Sequence, residues 1–216
     1  MRGGLDAAPA ELMGRVLDRV HGGYVHTRRV TVLSRHLAEM MPAGAEVLDV
    51  GCGDGLIGSL VGERRPDVTV RGIDIAARGA THIPVEEFDG LSIPYGDGEV
   101  DVVMMCDVLH HAEDPHVLLS EVARVARRAI VLKDVTPLGP LSDATLRFMD
   151  WVGNARHGVP LPYLFWSQAE WRAAFGGLGL RVDEERRRLG LYPPPANLVF
   201  EKRMHFILRL LPPAAP

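Results

Sequence analysis

Short apolar runs alternate with helical patterns along most of the chain, and this alternation constrains the fold more than any other feature. The runs typical of buried strands lie at residues 46–50, 69–75, 85–88, 100–106 and 129–132. Helical patterns lie between them, one at 56–65 and another that begins at Asp114 and Pro115. Strands that alternate with helices at this spacing form right-handed crossovers. We therefore predict a largely parallel sheet with helices on both faces.

Other patterns flank this alternating core. Two helices are predicted before it, at 11–20 and 27–41, and together they form an N-terminal helical cap over residues 1–44. The main domain is predicted to span 45–216. Inside it, an insertion at 134–166 mixes prolines and glycines with large apolar side chains, which indicates an irregular lid or short helices.

The last third of the chain carries one clear helix signal. Ser167 and Glu170 form a capping box, and the helix that they start is predicted to run through Phe175 and to end at the glycines that follow. Two more strands are predicted, at 180–187 and 198–208.

The length and composition of the chain indicate a single domain and exclude several classes of protein. A chain of 216 residues can bury about 70% of its unfolded surface, enough for one complete core. The formal net charge of −4 provides no broad positive field, so a nucleic-acid partner is not expected. Cys52 and Cys106 are too few for a disulfide framework, and no apolar stretch approaches the roughly 20 residues of a membrane span. We expect a cytoplasmic protein, either monomer or homodimer.

The strand at 46–50 runs into a glycine-rich loop, and residues 47–55 read V-L-D-V-G-C-G-D-G. Glycines allow a ligand to approach bare backbone, and the next helix offers free N–H groups at its start. Three glycines also satisfy the dinucleotide fingerprint G-x-G-x-x-G, namely Gly53, Gly55 and Gly58. However, Asp49 and Asp54 would repel a pyrophosphate and attract a cation. We therefore favour a cationic ligand and keep an NAD(P)-dependent oxidoreductase as the alternative.

Three further motifs follow the next strands. Asp74 ends the second strand, where a carboxylate can bind ribose hydroxyls or cap a helix. Residues 88–103 read F-D-G-L-S-I-P-Y-G-D-G-E-V-D-V-V, and residues 106–115 read C-D-V-L-H-H-A-E-D-P. Because ligands of such sheets bind outside the carboxyl ends of the strands, we expect all of these motifs to lie together.

Taken together, the four motifs resemble class I S-adenosylmethionine-dependent methyltransferases, in particular the ubiquinone/menaquinone-type small-molecule branch (methyltransferase type 11). The resemblance is firm over residues 45–134. It implies a Rossmann-like, doubly wound α/β fold with a seven-stranded, mostly parallel sheet whose last strand is antiparallel. It also implies S-adenosylmethionine as cofactor, S-adenosylhomocysteine as product, and no metal.

The resemblance assigns a role to each motif. Asp49 helps to hold the methionine ammonium, Asp74 the ribose, and Asp89 the exocyclic amine of adenine. The Cys106 carbonyl meets the ammonium, and Asp107 lies near the sulfonium. The full set assigned to the cofactor is Asp49, Gly51, Cys52, Gly53, Asp74, Ile75, Asp89, Gly90, Leu91, Cys106 and Asp107.

Methyl transfer to a hydroxyl would benefit from a base with a near-neutral pKa, and histidine suits this task best. The candidates, in order, are His110, His111 and His157. The first two could instead make loop and helix contacts, and the third could be an ordinary surface residue. The aromatic residues proposed to bind the acceptor from the insertion are Trp151, Tyr163 and Trp166, although an aromatic lid also packs for its own stability.

The sequence thus predicts methyl transfer by in-line displacement to oxygen, nitrogen or carbon of a small metabolite, as in secondary metabolism. An alternative outside the enzymes is a non-catalytic regulatory subunit that binds S-adenosylmethionine without turnover.

Overall fold

A computed structural model describes residues 26–76, 79–154, 162–201 and 203–213. In this part of the chain seven strands form one sheet in the order β3-β2-β1-β4-β5-β7-β6. The strands are β1 Glu46–Val50, β2 Thr69–Asp74, β3 Val85–Glu87, β4 Val100–Cys106, β5 Ala126–Val135, β6 Arg181–Arg186 and β7 His205–Leu211. Neighbours from β3 to β5 pair in parallel, and β7 pairs antiparallel with both β5 and β6. The predicted seven-stranded sheet with a reversed last strand is confirmed.

Helices cover both faces of this sheet. They are α1 His26–Met40, α2 Leu56–Arg64, α3 Pro115–Val125, α4 Ser142–Asn154, α5 Gln168–Gly177 and the short α6 Asn197–Phe200. A 3₁₀ turn at Leu109–His111 follows β4. None of the described helices has the length and apolar character needed to cross a membrane.

Strand β4 shows why the sheet is buried on both sides. Val103 and Met105 pack with α3 and α5 in one apolar cluster. Val102 and Met104 point the other way, into a second cluster with α1 and α2. All four side chains are fully buried. Because successive side chains of a strand point to opposite faces, only a continuous apolar run can fill both layers.

Local signals placed two helix starts correctly. The Asp114 side chain accepts hydrogen bonds from the backbone N–H groups of His116 and Val117, and Pro115 occupies the first helical position of α3. Both bonds of the capping box between Ser167 and Glu170 are present at the start of α5. Helix α1 confirms the prediction at 27–41, whereas the helix predicted at 11–20 lies outside the described residues.

The insertion predicted at 134–166 contains a helix, one of the two alternatives that the sequence left open. Its first two residues extend β5, which is longer than the predicted 129–132, and Ser142–Asn154 is a helix of 13 residues. This helix buries Leu146 and Asp150. The helical alternative of the prediction is therefore the one found, and Pro137, Gly139 and Pro140, which suggested an irregular segment, lie just before the helix.

The strand predicted at 198–208 was also placed wrongly, because β7 spans His205–Leu211 and Asn197–Phe200 is a single helical turn. The apolar run that suggested an early start to the strand is largely exposed: Leu198 is 70% and Val199 47% accessible to solvent. An apolar run this short does not distinguish a strand from a helical turn.

Candidate active site

The loop after β1 has a backbone that favours glycine at three positions. Gly51, Gly53 and Gly55 have φ angles of 69°, 62° and 76°, in the left-handed region. A Cβ atom at Gly51 would also lie 2.7 Å from Cγ2 of Val108. Gly58, on α2, faces Oδ2 of Asp49, which would lie 3.1 Å from an added Cβ atom. The glycines therefore let the loop fold tightly against the turn after β4 and let α2 pack onto the sheet.

Asp49 is the buried acid of this loop and is only 3% exposed. Burial, and secondarily the charge of Asp74, raises the pKa of Asp49 to about 8. A carboxylate in such a place is stabilised by a cation and opposed by a phosphate. The neighbouring Cys52 stays a thiol, because burial and then the charge of Asp49 raise its pKa to about 12.

Asp74 lies across the loop from β1. Its Oδ2 accepts a hydrogen bond of 2.7 Å from the Gly53 backbone, and its Oδ1 accepts one of 3.2 Å from the backbone of Ala76. Each carboxylate oxygen can accept a second hydrogen bond. Asp74 therefore fixes the glycine loop and retains the capacity to bind hydroxyl groups.

The segments predicted to hold adenine meet beside Asp74. A Cβ atom at Gly90 would lie 3.0 Å from Cγ2 of Ile75, and the side chain of Ile75 is 59% exposed. Oδ1 of Asp89 accepts hydrogen bonds from the backbone of Ser92 and Leu91, and these bonds lower the pKa of Asp89. Leu91 is also partly exposed. The ionised Asp89 can therefore accept a hydrogen bond beside Ile75 and Leu91, whose apolar side chains could cover the adenine ring.

The donor set of this crevice fits S-adenosylmethionine. Among the described residues no cation lowers the pKa of the buried Asp49, and an ammonium or sulfonium would provide that charge. The crevice further offers bare glycine backbone, a carboxylate for ribose and exposed apolar surface for adenine, and these groups gather at the carboxyl ends of β1, β2 and β3.

Asp107, immediately after β4, lies in a network that the sequence did not predict. Its carboxylate contacts the guanidinium of Arg29 from α1 and the ammonium of Lys133 from β5. Burial acts to raise the pKa of Asp107, but Lys133 and Arg29 outweigh burial and hold it well below its usual range. Cys106 beside it keeps its proton, because burial raises its pKa to about 12. Asp107 is thus already paired with two cations.

The histidines that follow β4 are paired with acids. Nδ1 of His110 lies 2.6 Å from Oδ1 of Asp134, the residue after Lys133, and both side chains are buried. Burial acts to lower the pKa of His110, but Asp134 outweighs it and raises that pKa. Nε2 of His111 lies 3.2 Å from Oδ1 of Asp150 on α4. The third candidate, His157, lies outside the described residues.

His110 and Arg29 both line a cavity of about 50 Å³ at the carboxyl ends of β4 and β5. The described lining residues are Arg29, Asp107, His110, Val135, Leu146, Met149, Asp150, Phe165, Tyr192 and His205. Of these residues, only Asp107 and His110 were predicted from the sequence. The only sequence signals for the network were Lys133 and Asp134, which add charge to an otherwise apolar strand.

The three aromatic residues proposed to bind the acceptor are not in that lining. Trp166 packs in the core, with its ring 4.8 Å from that of Trp171. Trp151 is 55% exposed on the outer side of α4. Tyr163 lies behind Phe165, at 6.2 Å between ring centroids. The helical periodicity of α4 places Leu146 and Asp150 on its buried face and Trp151 on its exposed face. This difference could not be predicted while the segment was not assigned to a helix.

Within the described ranges, two groups of side chains have spacing compatible with a metal ion. The candidate ligand atoms of His110, His111 and Asp150 lie within 4.8 Å of one another, as do those of Asp107, His110 and Asp134. In the second group Asp107 already pairs with Arg29 and Lys133. The expectation of metal-free chemistry stays a prediction.

Comparison with known proteins places this site in context. The methyltransferase domain family matches residues 24–185 of the chain. An uncharacterized methyltransferase from Mycobacterium sp. (strain JLS) is 32% identical over 158 residues, which are 68% of this chain and 59% of that relative. A 27-O-demethylrifamycin SV methyltransferase from Amycolatopsis mediterranei is 30% identical over 131 residues, 51% of this chain and 48% of that protein. The chain thus spans about half to six-tenths of these relatives.

The fold of this chain is similar to that of a solved structure. It is a chain from the complex between the Haloferax volcanii Trm112 methyltransferase activator and a methyltransferase. It has a TM-score of 0.64 and 19% identity, and the match covers 99% of both chains. The family match also decides between the two readings of the glycine loop, in favour of a methyl donor over a dinucleotide.

Proposed function

The chain belongs to the methyltransferase domain family, whose class I members use S-adenosylmethionine, and we propose that it methylates a small molecule on oxygen, nitrogen or carbon. One observation carries the choice of acceptor: His110, paired with Asp134, lines a small cavity at the carboxyl ends of β4 and β5. A cavity of about 50 Å³ suits one group of a small acceptor. The net charge of −4 argues against a nucleic acid.

The residues of the crevice would hold the cofactor. Asp49 would face its positive charge, Asp74 its ribose, and Asp89 with Ile75 and Leu91 its adenine. S-adenosylmethionine, when bound, supplies a methyl group that its sulfonium already activates. The protein must then align the acceptor for in-line attack and keep water out.

His110 is the proposed base. When its Nδ1–H donates to Asp134, Nε2 carries a lone pair that can take a proton from the acceptor, and Oδ1 of Asp150 lies 3.9 Å from that atom. The Asp134 carboxylate also stabilises the imidazolium that forms, as in other acid–histidine pairs. A hydroxyl acceptor needs this step most, because a neutral hydroxyl is a weak nucleophile.

The test is methyl transfer from labelled S-adenosylmethionine to a broad panel of small metabolites. We expect a methylated product from the native protein, and a loss of about 10² or more in rate for His110→Gln, within the range of general-base catalysis. The exposed His116 on α3 gives a matched control, His116→Gln. Binding of S-adenosylhomocysteine without turnover on any acceptor would contradict the proposal and favour a non-catalytic regulatory subunit.

A further inference from the structure

Three side chains of the site bring together atoms of the kind that bind transition metals. Oδ1 of Asp150 lies 3.2 Å from Nε2 of His111 and 3.9 Å from Nε2 of His110. The candidate ligand atoms of the three side chains all lie within 4.8 Å of one another. In a tetrahedral zinc site, ligand atoms about 2.0–2.2 Å from the ion are about 3.3–3.6 Å from one another. The two histidines and the aspartate are therefore close to the spacing that a zinc ion requires.

These side chains come from two elements that are packed against the sheet. His110 and His111 belong to the 3₁₀ turn after β4, and their ring centroids lie 4.2 Å apart. Asp150 is a buried residue of α4, and Leu146 of the same helix packs against Val135 of β5. The fold itself thus places the carboxylate opposite the two imidazole rings.

Asp134 supplies the outer partner that a metal-binding histidine needs. Its Oδ1 lies 2.6 Å from Nδ1 of His110, and a bond in which Nδ1–H donates leaves a lone pair on Nε2, the atom that faces Asp150. Histidines that bind metals almost always donate their other N–H group to a carboxylate, a carbonyl or water, which fixes the orientation of the ring. The pairing that makes His110 a candidate base therefore also makes it a candidate metal ligand.

The balance of charge around the histidines favours a cation. Among the described residues, Asp107, Asp134 and Asp150 supply three carboxylates there, and Arg29 and Lys133 supply two cations. When the histidines are neutral, one negative charge is in excess. A charge out of water is stabilised only when it is paired, so the group can bind either a proton or a metal ion.

The ligand types select the metal. Two imidazole nitrogens and one carboxylate oxygen form a set that zinc uses in proteins, with the fourth position open to water. Mg²⁺ instead requires oxygen ligands in an octahedral arrangement. His110 and Asp150 line the cavity of about 50 Å³, which has room for an ion and one water, since a water occupies about 30 Å³ of liquid.

We propose that His110, His111 and Asp150 bind Zn²⁺ and that the bound ion inhibits methyl transfer. The ion takes up the lone pair on Nε2 of His110, with which that residue would otherwise accept a proton. The zinc-loaded protein therefore lacks its base. The inhibition rests on the proposed function, whereas zinc binding does not depend on it.

Calorimetry tests the binding site. The full chain is treated with EDTA, dialysed into buffer without chelator, and titrated with ZnCl₂ or MgCl₂. We expect one tight equivalent of Zn²⁺ and no comparable binding of Mg²⁺. His111→Gln and Asp150→Asn should each weaken Zn²⁺ binding by about tenfold or more, and Asp134→Asn by about 10- to 100-fold, the range for outer partners of metal ligands. The exposed His116 gives the matched control, His116→Gln, which should bind Zn²⁺ as the native protein does.

The rate of methyl transfer with and without Zn²⁺, compared within each variant, tests the inhibition. One equivalent should remove most of the activity of the native protein and of His116→Gln, and excess EDTA should restore it. His111→Gln should need about ten times more Zn²⁺ for the same loss, in proportion to its weaker binding.

Three results separate the alternatives. Equal Zn²⁺ affinity in the native protein, His111→Gln and Asp150→Asn would place the ion at other side chains and overturn the proposal. Undiminished turnover in zinc-saturated protein would overturn it as well. If Asp150→Asn does not fold, His111→Gln decides the site. An absence of methyl transfer in the metal-free native protein would instead contradict the proposed function, and the calorimetric titration would still decide whether the site binds zinc.

Discussion

Nδ1 of His110 lies 2.6 Å from Oδ1 of Asp134, and this buried pair joins the turn after β4 to the end of β5. Asp134→Asn keeps the shape of the acid but removes its charge, so the imidazolium loses its partner and the ring can take the wrong tautomer. We expect methyl transfer to fall by about 10² or more while S-adenosylhomocysteine affinity is unchanged. Steady-state kinetics and calorimetry on the same preparation measure both, and an unchanged rate would exclude His110 as the base.

The pH dependence of the reaction should report the same pair. A base acts only when neutral, and Asp134 raises the pKa of His110 above the ordinary 6.5. The acid limb of kcat/KM should therefore have its midpoint above pH 6.5, and Asp134→Asn should shift it to lower pH. For the same reason, the pair stabilises the fold fully below pH 6.5 and loses this effect as the pH rises through the folded-state value. A pH-independent profile between 5 and 8 would contradict the assignment.

Asp49 should make the ligand-free protein less stable as the pH rises. Its pKa is about 8 in the folded state against 3.8 for an ordinary aspartate, so between these values the folded state binds more protons than the unfolded state. The free energy of unfolding then falls from about pH 4 to pH 8 and levels off above it. Asp49→Asn should remove most of this decline, as denaturant melts at several pH values would show. Parallel curves for the two proteins would contradict the raised pKa.

Asp74→Ala should weaken binding of S-adenosylmethionine by about 1.5 to 3 kcal/mol, the scale of hydrogen bonds to a charged group. The variant loses the proposed ribose contacts and the bond that fixes Gly53. Calorimetry measures the change, and Glu63→Ala on the exposed side of α2 serves as control. Full affinity in a folded Asp74→Ala protein would remove this residue from the cofactor site.

Removal of metal ions should leave the reaction unchanged. The side chains of His110, His111 and Asp150 could share an ion, but the proposed acid–base chemistry needs His110 free. Dialysis against EDTA should not alter the rate of methyl transfer. A loss that added Mg²⁺, Mn²⁺ or Zn²⁺ restores would contradict the prediction of metal-free chemistry.

Local chemistry made much of the fold predictable. The caps at Asp114 and Ser167 depend on residues at most three positions away. The continuous apolar run of β4 indicates that this strand is buried on both faces. The end of the chain was harder, because the apolar residues at 198–200 imitate a strand, whereas the true β7 is defined by its pairing with β5.

The charged network of the site could not be predicted in the same way. Arg29 and Lys133 reach Asp107 from elements far apart in sequence, and the register that sets Cys106 opposite Lys133 appears only in the folded sheet. Asp134 meets His110 for the same reason. The sequence showed which residues follow each strand but not which of them pair across the sheet.

The close approach of Gly51 to Val108 couples the position of the glycine loop to that of the turn that carries His110. Val108 stands two residues before His110, so any side chain at position 51 would push the donor loop and the histidine turn apart together. A methyl group at that point, as in Gly51→Ala, would disturb donor and base alike. A change in the shape of the glycine loop would therefore also change the orientation of His110, the residue proposed to take the proton.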